Sequence, residues 1–185
     1  MSYFLRSSVR VVLSLLLVFS LGACSPSMTA GLEPFQSPDG RYGFLYPTGW
    51  TRVAVSEGPA VVFHDLINSD ETLSLVVSKL NVDVDLETLG SPEDVAERLL
   101  GEVKTAEGEE REIDLLETNS RESSDHIFYD LEYTINFSGS KRHELATVVV
   151  DRGYLYAFAA STDELRWSKI DSLFNKVVKS FTFLA

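Results

Sequence analysis

The sequence predicts an α+β fold in which a central antiparallel sheet is flanked by helices. Three observations carry this. Ile127 to Phe137 alternates apolar and polar side chains with period two, as a long strand does. Short β-branched or aromatic runs lie on both sides of it, separated by turn residues. Two further stretches, one central and one C-terminal, place their apolar residues at helical spacing instead.

In chain order, Arg6 and Arg10 supply a positive start, and Val11 to Leu21 form an uncharged apolar run too short to span a bilayer. The run ends in Leu21-Gly22-Ala23-Cys24, which resembles the bacterial lipobox; Cys24 would then be diacylglycerylated and become the mature N-terminus. Cys24 is the one cysteine of the chain, so no intramolecular disulfide is expected. Residues 1–23 read as a lipoprotein signal peptide and residues 24–34 as a lipidated N-terminus with a Pro/Gly-containing tether. Ten such residues reach about 17 Å as a coil, close to the lipid headgroups. Residues 35–185 read as one domain.

Within that domain Tyr42–Tyr46, Thr51–Val55, Ala60–His64 and Thr72–Leu80 read as the strands of an opening meander, with Tyr46-Pro47-Thr48-Gly49 as a type I turn. Ser91 caps a helix with Pro92 at its first position, and Val95, Ala96, Leu99, Leu100 and Val103 form its apolar stripe. Arg111–Asn119 reads as a strand, then Ile127–Phe137. Ser138–Lys141 turns the chain into Leu145–Val150, and Arg152-Gly153 is a tight hairpin before Tyr154–Ala160. Ser161 and Glu164 suit a capping box for a last helix bearing Ile170, Leu173, Phe174, Val177, Val178 and Phe181.

Composition excludes some partners. The 185 residues carry a formal charge of −12, and removing residues 1–23 takes away two arginines and no acid, leaving −14. Nucleic acids and anionic lipid surfaces both need a basic footprint, so neither is expected as a partner of the folded part. The chain is long enough to bury about two thirds of its unfolded surface in one core.

Two sequence blocks then carry a resemblance. Tyr42-Gly43-Phe44-Leu45-Tyr46-Pro47-Thr48-Gly49-Trp50 is similar to the N-terminal signature of the PsbP family, the extrinsic lumenal proteins of photosystem II. Arg142-His143-Glu144-Leu145, Gly153-Tyr154-Leu155-Tyr156 and Arg166-Trp167 resemble its C-terminal half in order and spacing. The resemblance covers roughly residues 35 to 185 and implies a PsbP/Mog1-like αβα sandwich, a fold also reached above from the element order. With the lipobox it implies a cyanobacterial lipoprotein member: lipid-anchored on the lumenal side of the thylakoid membrane, monomeric, and bound to photosystem II subunits or assembly intermediates. Plant members help retain calcium and chloride at the oxygen-evolving manganese cluster, for which a basic N-terminal extension matters. This chain lacks that extension, so an assembly or stability role is expected instead.

No catalytic residue is expected, because no GxSxG elbow, phosphate loop, HExxH or CxxC is present, and no cofactor is required. The candidate metal ligands are His143, Glu164 and Asp163. A hairpin tipped by Arg152-Gly153 pairs residues whose numbers sum to about 305, which sets His143 opposite Thr162 and near Asp163 and Glu164. Imidazole and carboxylate together suit weak binding of zinc or manganese. In the family, some plant members have a metal-binding His and Asp that fall at His143 and Glu164. The competing reading of Glu164 is the helix cap. His64-Asp65 is a lesser pair of the same type. Phe44, Tyr46, Trp50 and Trp167 read as core.

Overall fold

The structure, a computed structural model, describes residues 31–105 and 111–184. Cys24 and the signal segment lie outside the described residues. The element order is β1 (Leu32–Gln36), β2 (Tyr42–Pro47), β3 (Thr51–Val53), β4 (Val61–His64), β5 (Thr72–Lys79), α1 (Pro92–Thr105), β6 (Glu112–Ser123), β7 (His126–Phe137), β8 (Ser140–Asp151), β9 (Tyr154–Asp163), α2 (Trp167–Val178) and β10 (Thr182–Phe183). Short 3-10 turns precede both helices at Leu86–Leu89 and Glu164–Arg166.

Turn chemistry builds the large sheet. Three two-residue loops, Ser124-Asp125, Ser138-Gly139 and Arg152-Gly153, have positive φ at both positions, the type I′ geometry whose twist matches that of paired strands. They connect β6, β7, β8 and β9 into successive hairpins. β9 then pairs with β5, giving one antiparallel sheet in the order β3-β4-β5-β9-β8-β7-β6. A second small sheet, β1-β2-β10, is formed by the two ends of the domain.

Helices cover both faces of the large sheet. Val95, Ala96 and Leu100 of α1 pack on Tyr129, Leu131, Tyr133, Ala146, Val148 and Leu155. On the other face Ile170, Phe174, Val177 and Val178 of α2, with Tyr42 and Phe44 of the small sheet, pack on Phe128, Leu145, Val149, Tyr156 and Phe158. Phe44 is buried there, and Tyr46, Trp50 and Trp167 border the same core as the sequence predicts. α1 starts as expected: Ser91 Oγ accepts from the Asp94 N–H, and the Asp94 carboxylate accepts in return from the Ser91 N–H.

The structure corrects several local expectations. β2 does not join a meander with β3–β5 but pairs with β1 and β10 in the small sheet. β1 takes in Leu32, Glu33 and Pro34, which the tether reading had assigned outside the fold. The turn after β2 is shifted by one residue: Trp50 N–H donates to the Pro47 carbonyl and Gly49 takes φ +88°, which is type II rather than type I geometry. The Ser161/Glu164 capping box does not form. β9 continues through Asp163, held by β8 and β5 on its two sides, and the Asp163 carboxylate caps the Leu165 N–H instead. α2 ends at Val178, and Phe181 enters the core from the turn that follows.

Phe174 has no exposed surface and meets Trp50 and Trp167 edge-on. Phe174→Ala is expected to lower unfolding free energy by about 3–5 kcal/mol, read from the urea midpoint at unchanged m-value.

Candidate functional site

His143 sits on β8 opposite Thr162 of β9, in the register that the hairpin arithmetic predicts. Its ring is buried beneath α2 and stacks on Trp167 with centroids 3.8 Å apart and planes 10° apart. Nδ1 lies 2.8 Å from Glu164 Oε2, and Nε2 lies 2.8 Å from Glu132 Oε1. Each ring nitrogen thus lies within hydrogen-bond distance of a carboxylate oxygen, and the ring face rests on an indole. Of the predicted ligands, the structure therefore brings His143 and Glu164 together. It places Asp163 elsewhere, with its carboxylate on the Leu165 N–H 2.8 Å away.

Glu132 is the partner that sequence reading missed, although the signal was present. The Ser138-Gly139 hairpin pairs Thr134 with His143, so Glu132 is the diagonal neighbour on the same sheet face. Both ring nitrogens are engaged, and a metal ion at either one would replace a hydrogen bond. Among the described residues, no group of three His, Cys, Asp or Glu side chains is arranged to hold a metal ion. The His64-Asp65 pair is divided between tasks: His64 ends β4, while Asp65 accepts from the Ile67 N–H and the Asn68 amide.

The opposite sheet face carries a second cluster. Glu144 is buried, and burial pushes its carboxyl up to about 7 against the opposing pull of the Ser161 hydroxyl and the Arg142 guanidinium. Ser161 donates to Glu144 Oε1 at 2.5 Å, and Arg142 Nε donates to Ser161 Oγ at 2.9 Å. Burial, and then the neighbouring Glu144 charge, also raises the Tyr133 hydroxyl above its ordinary value. Glu144 and Tyr133 line a groove of about 380 Å³ between α1 and the sheet, floored by Ala146, Ala157 and Ala159. Ser161, which the sequence assigned to a helix cap, is thus a strand residue that satisfies a buried acid.

Residues 30–183 match the PsbP family. The chain belongs to the PsbP family. Two relatives named CyanoP, from Thermosynechococcus vestitus and Synechocystis, are each 38% identical to it, over 89% and 95% of this chain and 92% and 95% of their own lengths. PsbP-like protein 1 of Arabidopsis thaliana is 29% identical over 76% of this chain and 59% of its own. The solution structure of Synechocystis CyanoP superposes with a TM-score of 0.72 at 38% identity, covering 88% of this chain and 98% of that one. The fold alone is shared with Mog1, at a TM-score of 0.54 and 9% identity over 83% of this chain and 96% of Mog1. The helix-covered antiparallel sheet expected from the element order, and the PsbP-like sandwich that the resemblance implies, are therefore the fold found.

A buried acid with a raised value stays protonated in the folded state at pH values where the unfolded chain has already ionised. Its contribution to stability is full below about pH 4.5, its ordinary value, and is lost as pH rises through about 7. Thermal melts of wild type should therefore lose stability between pH 5 and pH 8 relative to Glu144→Gln, by at most about 3 kcal/mol. Parallel profiles for the two proteins would contradict the burial effect.

Proposed function

We propose that this PsbP-family protein is a non-catalytic lipoprotein of the thylakoid lumen, anchored through Cys24, that associates as a monomer with photosystem II or its assembly intermediates and assists their assembly or stability. The likeness to CyanoP over nearly the full length of both chains carries this reading. The lipobox at Leu21–Cys24 supports the anchor. No helix among the described residues is long and apolar enough to cross a membrane. The His143 ring supports a structural role, since it is buried, stacked on Trp167 and held at both nitrogens by Glu132 and Glu164.

The test is affinity purification from thylakoids with mass spectrometry of the bait. Photosystem II subunits should be enriched, and the bait should begin with an acylated Cys24; a bare cysteine or a bait free of photosystem subunits would refute the corresponding half. The formal charge of −14 left without residues 1–23 further predicts a basic docking face, with an association rate that falls as salt rises from 50 to 300 mM.

A second reading, a lipid-anchored metal- or ligand-binding module with another partner, is favoured by the His143–Glu164 pair. Zinc or manganese would bind there weakly, by displacing the Nδ1 hydrogen bond. Titration of wild type and His143→Ala with either ion separates the cases, because equal affinity in the two proteins removes the site.

A further inference from the structure

The three most exposed large apolar side chains among the described residues are Ile67 (90%), Leu165 (87%) and Leu66 (66%). They belong to two loops, β4–β5 and β9–α2, that lie far apart in sequence but at one end of the sheet. That end is defined by the pairing of Thr72 with Ser161; the other end of the same two strands pairs Lys79 with Tyr154.

The two loops are fastened together. Arg166 Nε donates to Glu71 Oε1 at 2.5 Å; Glu71 is only 2% exposed, so an ion pair with a buried carboxylate and a half-exposed guanidinium spans them. Arg142 Nη2 adds a hydrogen bond to the Asp70 carbonyl at 2.5 Å.

Each loop is also stiffened from within. Asp65 accepts from the Ile67 N–H at 3.0 Å and the Asn68 amide at 2.7 Å, and its own N–H closes the loop on the Glu71 carbonyl at 3.1 Å. Leu165 is held the same way by Asp163. Exposed aliphatic side chains contribute nothing to the fold, yet these three are held on braced backbone rather than on slack chain.

The surrounding charge says what they would meet. The charge there is net negative: Asp65, Asp70 and Asp163 lie beside the three apolar tips in sequence, against the exposed Lys169, whereas Arg142 and Arg166 are paired with Ser161, Asp70 and Glu71, and Glu164 with His143. Anionic lipid headgroups would be repelled by such a rim. A protein face with an apolar pocket bordered by lysine or arginine is complementary to it.

We propose that Leu66, Ile67 and Leu165 form a docking surface for a protein partner that offers an apolar pocket with a basic border. Naming photosystem II as the owner of that pocket rests on the functional reading above.

The test uses the full chain carrying a photoreactive amino acid at position 67, at position 165, or at position 82. Val82 is also exposed, at 60%, but follows Lys79 at the opposite end of the sheet. After illumination on thylakoid membranes, adducts from positions 67 and 165 should map to one polypeptide at a site flanked by Lys or Arg, with none from position 82. Binding to solubilised photosystem II cores should fall at least tenfold in the Ile67→Asp/Leu165→Asp double variant and stay unchanged in Val82→Asp, with both variants melting as wild type. Equal binding by the double variant and wild type would overturn the surface while leaving the photosystem reading intact. Wild type that binds no photosystem II core would overturn that reading, and the surface would then stand on adducts from positions 67 and 165 to a different, identified protein. Adducts to lipid, or none from either position, would overturn the surface itself.

Discussion

Strand β8 has no face turned to water. Its residues 143–149 are all buried, with α2 on one side of the sheet and α1 on the other. A strand covered twice should be almost wholly apolar, because a buried charge or hydroxyl without a partner costs more than its packing returns. This one nevertheless carries His143, Glu144 and Thr147. Much of the polar architecture around the sheet follows from satisfying those three.

Each is answered by a side chain from another strand or from the turn after β9. His143 bridges Glu132 of β7 and Glu164 beyond β9, and Glu144 accepts from Ser161 of β9. Thr147 meets Arg121 of β6, whose guanidinium also holds Asp130 with Nε 2.9 Å from Oδ2. The His143 cluster stitches the sheet to the segment entering α2, the Glu144 cluster joins β8 to β9, and the third ties β6 to the interior. One gap remains among the described side chains: the Thr162 hydroxyl is buried without a partner. The clusters also account for the sharp entry into α2, since Glu164 is drawn to His143 and Arg166 to Glu71, leaving Leu165 between them directed to solvent.

This arrangement bears on function through what it makes rigid. The end of the sheet where Arg142, His143, Ser161 and Glu164 converge is also the end that displays Leu66, Ile67 and Leu165. A recognition surface built on a cross-braced frame loses little conformational freedom when it docks. In this member of the PsbP family the braced end of the sheet and the exposed apolar tips therefore coincide.

Local chemistry alone determined a good part of this. Period-two alternation marked β7, and Arg152-Gly153 set the β8–β9 register so closely that His143 was placed opposite Thr162; Ser91-Pro92 marked the start of α1. Those signals lie within a few residues of one another, so neighbours in sequence suffice to read them. The rest depended on distant partners. Ser161 and Glu164 have the spacing of a cap worth about 1 kcal/mol, but β5 and β8 claim Ser161 as a strand residue while His143 claims the Glu164 carboxylate. In the same way the assignment of β2 to a separate small sheet, closed by β10 from the far end of the domain, became visible only once the chain had folded. Short-range propensity names the elements; burial and ladder hydrogen bonds between remote segments decide which face each one covers and which side chains meet there.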